Sequence, residues 1–161
     1  MKMIEQGAIK IGEKINIVVP TGNFGNILAA YYAGQMGIPV GKFICASNEN
    51  KVLTDFIKTG IYDSNREFYV TSSPSMDILI SSNLERLLYH LSDDDGEEVS
   101  ALMQELDKDK KYEVSQKIRH GLRDFYGGYA DEAATHDAVG RMYRENRYLD
   151  GHPHGGRIQG L

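Results

Sequence analysis

The chain has 161 residues and a net charge of −5, with 41% hydrophobic and 25% charged residues, the balance of one folded globular unit rather than a disordered or two-domain chain. The acidic balance argues against nucleic-acid binding, and no apolar run is long enough to cross a bilayer or act as a secretory signal. One cysteine, Cys45, excludes an internal disulfide and points to a reducing cytoplasm.

Residues 1–14 carry little core signal, and Gly7 and Gly12 break any long helix. The β-branched run at 15–19 predicts a strand buried on both faces, ending at Pro20. It opens into Thr21-Gly22-Asn23-Phe24-Gly25-Asn26, and an apolar helix is expected from Ile27 to about Met36, closed by Gly37 and Pro39. Residues 40–46 read as a second strand, in which Cys45 is a buried structural thiol rather than a nucleophile. Asn48 or Asn50 is placed to cap the next helix, which ends near Gly60. Strand, helix, strand, helix is the grammar of an α/β fold, a partial parallel sheet with helices packed on its faces.

Ser73-Pro74-Ser75 is expected to start a longer helix, with Ile80, Leu84, Leu87, Leu88 and Leu91 forming one core-facing stripe. The run Asp93-Asp94-Asp95-Gly96-Glu97-Glu98 lacks calcium-loop spacing and reads as a solvated loop leading into an acidic helix start. Helices are expected over 97–108 and 112–125, a break at Tyr126-Gly127-Gly128-Tyr129, and a last helix over 135–147, giving a helix-rich second half. His90, His120 and His136 fall on helix surfaces or packed edges. His152 and His154 lack a third ligand, so no metal site is expected, and nothing forms a serine or cysteine triad.

The loop at 21–26 carries the most chemistry. A strand running through a glycine turn into a helix presents unsatisfied N–H groups and a partial positive charge, both suited to a phosphate. Gly22 and Gly25 allow tight turning and close approach of an anion, while Asn23 and Asn26 tolerate unusual angles and add donors. The pattern lacks the third glycine of a dinucleotide fingerprint and the lysine of a P-loop. A plain tight connection is the competing reading of the spacing.

The residues themselves narrow the choice. Residues 19–33, from Val19-Pro20-Thr21-Gly22-Asn23-Phe24-Gly25-Asn26 to Tyr31-Tyr32-Ala33, resemble the phosphate-loop region of threonine synthases. The resemblance continues at Ala46-Ser47-Asn48-Glu49-Asn50-Lys51-Val52-Leu53, and at residues 72–86 from Ser72-Ser73-Pro74-Ser75-Met76-Asp77 to Ser82-Asn83-Leu84-Glu85-Arg86. A weaker echo stands at Tyr129-Ala130-Asp131-Glu132, and the match runs from about Glu5 to Leu149.

That resemblance implies a fold-type II pyridoxal 5'-phosphate (PLP) lyase of threonine biosynthesis, converting O-phosphohomoserine and water to threonine and phosphate. It further implies that Gly22, Asn23, Phe24, Gly25 and Asn26 hold the cofactor phosphate, Phe24 through its backbone N–H with its ring packed. Asn48 and Asn50 lie where α/β sheets place ligands, but capping is the role expected of them. The family's Schiff-base lysine precedes this loop in a Ser-Phe-Lys-Asp-type motif. Here only Lys2, Lys10 and Lys14 precede it, without that context. The expectation is therefore a single partial domain over 1–161, a carboxy-terminal piece that carries the cofactor-phosphate loop, lacks the lysine and is inactive alone. Its partners would be the small-molecule substrate in the complete enzyme, the missing amino-terminal lobe, or other copies of itself, with no nucleic acid and no membrane. The rival is a non-catalytic remnant that binds phosphate compounds or pairs with another polypeptide. Residues 150–161 are Gly-rich and unlike the family, and read as an irregular tail; a one-base slip of the reading frame at Gly151 is compatible with a family-like continuation.

Overall fold

The computed structural model describes residues 2–147. A one-turn helix α1 (Lys2–Glu5) and turns at Gly7 and Gly12, both at positive φ, lead into β1 (Ile15–Pro20). Then follow α2 (Gly25–Gln35), β2 (Val40–Ser47), α3 (Val52–Thr59) and the short β3 (Ile61–Asp63). A single 3-10 turn (Pro74–Met76) precedes α4 (Leu84–Leu91) and α5 (Gly96–Asp109). The chain closes with β4 (Lys111–Glu113), α6 (Gln116–Gly121), β5 (Phe125–Tyr129) and α7 (Glu132–Asn146).

Strands β1, β2 and β5 form a parallel sheet in that order, with Val18 opposite Ile44 and Ile44 opposite Tyr126. Both crossovers step in the same direction, so right-handed connections lay their helices on one face. That face is the core. Phe43, Cys45 and Ser47 are buried along β2, whereas Lys42, Ile44 and Ala46 between them are exposed or half-buried. Ile27 and Leu28 of α2, and Val52, Leu53 and Phe56 of α3, close over the buried face. Burying each of these apolar side chains is worth about 1.5–3 kcal/mol. A second layer comes from the antiparallel ribbon β3–β4, where Tyr62 pairs with Tyr112 and the rings stack at 5.1 Å.

Several expectations need correcting. Strand β1 is not buried on both faces, since Val18 is 60% exposed. Among the described residues, helices do not cover both faces of the sheet either. Helix α2 begins at Gly25, earlier than Ile27, because Phe24 already takes the N-cap position. No helix runs on from Ser73: the Asp77 carboxylate accepts from the N–H and hydroxyl of Thr71 and from the amides of Asn48 and Asn50, which ties the turn down and delays α4 to Leu84. Leu84, Leu87 and Leu88 are buried as expected, but Ile80 is 53% exposed. Tyr112 belongs to a strand, and Tyr126-Gly127-Gly128-Tyr129 lies within strand β5 rather than breaking the pattern. Glycine is required at 127, where an added Cβ would stand 2.7 Å from Thr54 Cα of α3. The tail at 150–161 lies outside the described residues.

Candidate functional site

Strand β1 ends at Pro20, and the Thr21 N–H extends the ladder by donating to Ala46 O at 3.1 Å. The chain then turns through Gly22 and Asn23 to Phe24, whose φ of 63° is left-handed. Such a conformation is disfavoured for a bulky residue and persists only where the surroundings fix it. Two contacts fix it here. The buried Thr21 hydroxyl accepts the Phe24 N–H at 3.0 Å, and the fully buried Phe24 ring stacks on Phe125 at 6.2 Å.

The kink aims the start of α2 outward. Leu28 N–H is the first to find an acceptor inside the helix, on Phe24 O at 3.0 Å, and Phe24 supplies no side-chain cap. The amides of Gly25, Asn26 and Ile27, and those of Gly22 and Asn23 before the kink, have no protein acceptor among the described residues. Gly22, Asn23, Gly25 and Asn26 border a cavity of about 260 Å³, lined also by Pro20, Thr21, Ser75, Met76 and Asn83. The lining holds no charged side chain. Asp77, the next residue after Met76, has both carboxylate oxygens occupied by its four donors. A neutral polar cradle of free N–H groups at a helix start suits an anion.

Each loop residue has a defined place. Gly22 is needed for close approach, since a Cβ there would lie 3.1 Å from Ile78 Cδ1 and 3.2 Å from Met76 Cα and O. Gly25 is different: its φ is ordinary and a Cβ would meet only Asn83 Nδ2, at 3.5 Å. The tight turn assigned to both glycines is therefore made by Phe24, and Gly22 supplies closeness. The Asn23 side-chain oxygen accepts from Ser82 N and Oγ at 2.9 and 2.7 Å. Asn26 is exposed at the cavity edge. The Phe24 ring is packed as expected, but its N–H is already given to Thr21.

Asn48 and Asn50 do not cap α3, whose N-cap is Lys51 with no side-chain bond. Asn48 Nδ2 donates to Thr71 Oγ1 and Asp77 Oδ1, while the Asn50 side chain is paired with the backbone of Tyr69. They brace the 69–77 segment, which forms the cavity's far wall through Ser75 and Met76. Glu132, at the head of α7, accepts from Ser72 N and Oγ and braces the same wall. Ser75, Met76 and Asn83 were not singled out as site residues, although all three sit inside the quoted motifs. The signal that could have found Asn83 is an asparagine immediately preceding a helix.

Elsewhere the chemistry is structural. Cys45 is fully buried, and burial pushes its thiol up to about 11 despite the Ser47 hydroxyl beside it. His90 stands between the Tyr32 hydroxyl and Asp94 on the α2–α4 flank, and His120 and His136 are exposed. His152 and His154 lie outside the described residues. Among the described residues no group of three metal-ligating side chains converges, and no helix is long and apolar enough to cross a membrane.

No protein-family model matches the sequence. The chain is 44% identical over 151 residues to threonine synthase-like 1 of Macaca fascicularis, covering 92% of this chain and 20% of that protein. It is 40% identical over 147 residues to threonine synthase of Saccharomyces cerevisiae, covering 85% of this chain and 29% of the yeast protein. The crystal structure of PLP-bound threonine synthase from Brucella melitensis superposes with a TM-score of 0.86 at 34% identity, over 92% of this chain and 32% of that one. The chain thus spans between a fifth and a third of the length of these relatives.

Proposed function

We propose that this chain, which belongs to the threonine synthase family over the part-length it covers, forms the section of a PLP enzyme that holds the cofactor by its phosphate. The observation that carries this reading is the cradle itself. Free amides at Gly22, Asn23, Gly25 and Asn26 border one uncharged cavity at the start of a helix, at the carboxyl end of a parallel strand. Phe24 completes the set through its left-handed backbone and buried ring rather than through its amide. When bound, PLP supplies an electron sink for carbanionic substrate carbons. The chain's own residues bind the phosphoryl group through backbone N–H and turn Asp77 away from the anion.

The reaction of the whole enzyme would be conversion of O-phosphohomoserine and water to threonine and phosphate. None of the lysines before the loop has the context of the family's cofactor-anchoring residue, and the chain alone is therefore inactive in this reading. A second reading, subunit pairing, is favoured by one observation: a parallel sheet is ordinarily covered on both faces, and among the described residues this one leaves Val18 and Tyr126 exposed on its other face, with Ile44 half-buried between them.

Equilibrium dialysis against an aldehyde-free pyridoxal phosphate analogue tests the cofactor reading without surface lysines reacting. Saturable binding displaced by inorganic phosphate is expected, and the chain with PLP should release no phosphate from O-phosphohomoserine. Absence of saturable binding, or turnover by the chain alone, would contradict the reading.

A further inference from the structure

We infer that Asn83 and Arg86 are positioning residues for the phosphate loop, holding it from the head of α4 in the shape that leaves its amides free. This rests on the cofactor-loop reading above and extends it from the loop's own backbone to two side chains outside the loop.

Asn83 occupies the N-cap of α4, where an asparagine oxygen ordinarily accepts from the first turn of its own helix, yet it makes no cap bond. Its amide is turned the other way. Nδ2 donates to the Asn23 carbonyl at 2.9 Å, and Oδ1 accepts from Arg86 Nη1 at 2.7 Å. A guanidinium has only donors, so Arg86 requires the amide oxygen to face it. The nitrogen must then face Asn23, where only a donor fits. Both ends of the amide thus agree on one orientation. Arg86 Nη1 also reaches Ser82 O at 3.4 Å, and Ser82 gives both its donors to the Asn23 side-chain oxygen. Ser82 and Asn83 therefore grip Asn23 by side chain and main chain at once, and Arg86 ties the two together.

Asn23 immediately precedes the left-handed Phe24. The grip complements the two contacts on Phe24 from inside the core, the Thr21 hydroxyl and the Phe125 ring, by holding the residue before the kink from the solvent side. A helix that gives up its own cap to hold a neighbouring loop breaks a local rule in favour of a site, which is where such departures concentrate. The loop has no charged side chain in its lining, so its affinity depends on how rigidly its amides are held, and a relaxed Asn23 would let them turn.

Substitution separates this from a merely structural role. Serine caps a helix about as well as asparagine but is too short to reach Asn23, so Asn83→Ser preserves α4 while cutting the grip. The variant should keep the parent's thermal midpoint, while the Phe24 and Leu28 amides exchange about tenfold faster and inorganic phosphate binds about tenfold more weakly. Arg86→Gln, on the exposed face of α4, should show the same pattern more weakly, and Arg86→Lys should restore most of it. Parent-like exchange in both Asn83→Ser and Arg86→Gln overturns the inference, whether or not the parent binds phosphate. Failure of the parent to bind phosphate while Asn83→Ser still loosens the loop overturns the cofactor reading and supports the grip.

Discussion

Gly22 and Gly25 look alike in a sequence and do different work in the loop. At Gly22 a methyl group would press on the Met76 backbone at 3.2 Å, and that segment is tied down by Asp77 and cannot retreat freely. Gly22→Ala should therefore cost about 1–3 kcal/mol of stability, with weaker phosphate binding. Gly25 has ordinary φ and an open neighbourhood at the first turn of α2, so Gly25→Ala should be neutral or stabilising, by about 0.5–1 kcal/mol. Urea unfolding of the two variants checks the contrast; equal losses would show that the glycines share one role. The loop was legible from sequence because strand, glycine turn and helix start are contiguous. The left-handed angle at Phe24 was not. It is held by the Thr21 hydroxyl together with Phe125, a residue about a hundred positions away, and local propensity argues against it.

Elements were legible where their signals are local. The N-cap of α5 by Asp95, which accepts from Glu97 N and Glu98 N, follows from acidic residues at a helix start, and the Gly60 stop of α3 follows from its positive φ. The errors came from tertiary override. A helix from Ser73 has the apolar periodicity, but Asp77 is captured by nearby Thr71 and by two residues distant in sequence, Asn48 and Asn50. Strand β5 carries two glycines, which locally read as a break. Gly127 is there because α3 lies on it. Gly127→Ala places a Cβ 2.8 Å from Thr54 O and should destabilise the protein by about 1–3 kcal/mol or more, whereas Gly128→Ala, with nothing within 4 Å, should not. Chemical denaturation distinguishes the two, and a tolerated alanine at 127 would mean that α3 does not pack as described.

Across the whole molecule, three buried groups set the alkaline limit. Burial pushes the Cys45 thiol from 9.0 to about 11 and the Tyr62 hydroxyl from 10.0 to about 12, with Tyr112 also raised by burial and by Tyr62. Well below pH 9 these groups are protonated in both the folded and unfolded chain and make no difference to the balance. As pH rises past 9 the unfolded chain loses its protons first, so fewer are bound when unfolded and stability falls. Urea midpoints should hold to about pH 9 and then drop steadily toward pH 11; a flat profile would mean that Cys45 and the tyrosines are accessible. The one-faced sheet was not foreseen, because β-branched strands read as doubly buried whether or not this chain supplies the second cover. A phosphate-soaked crystal would show whether the loop at 22–26 is an anion cradle. A phosphate should stand about 3 Å from the Gly25 and Asn26 amides, with Asn83 still on Asn23. A phosphate bound only elsewhere, with those amides turned onto protein carbonyls, would contradict it.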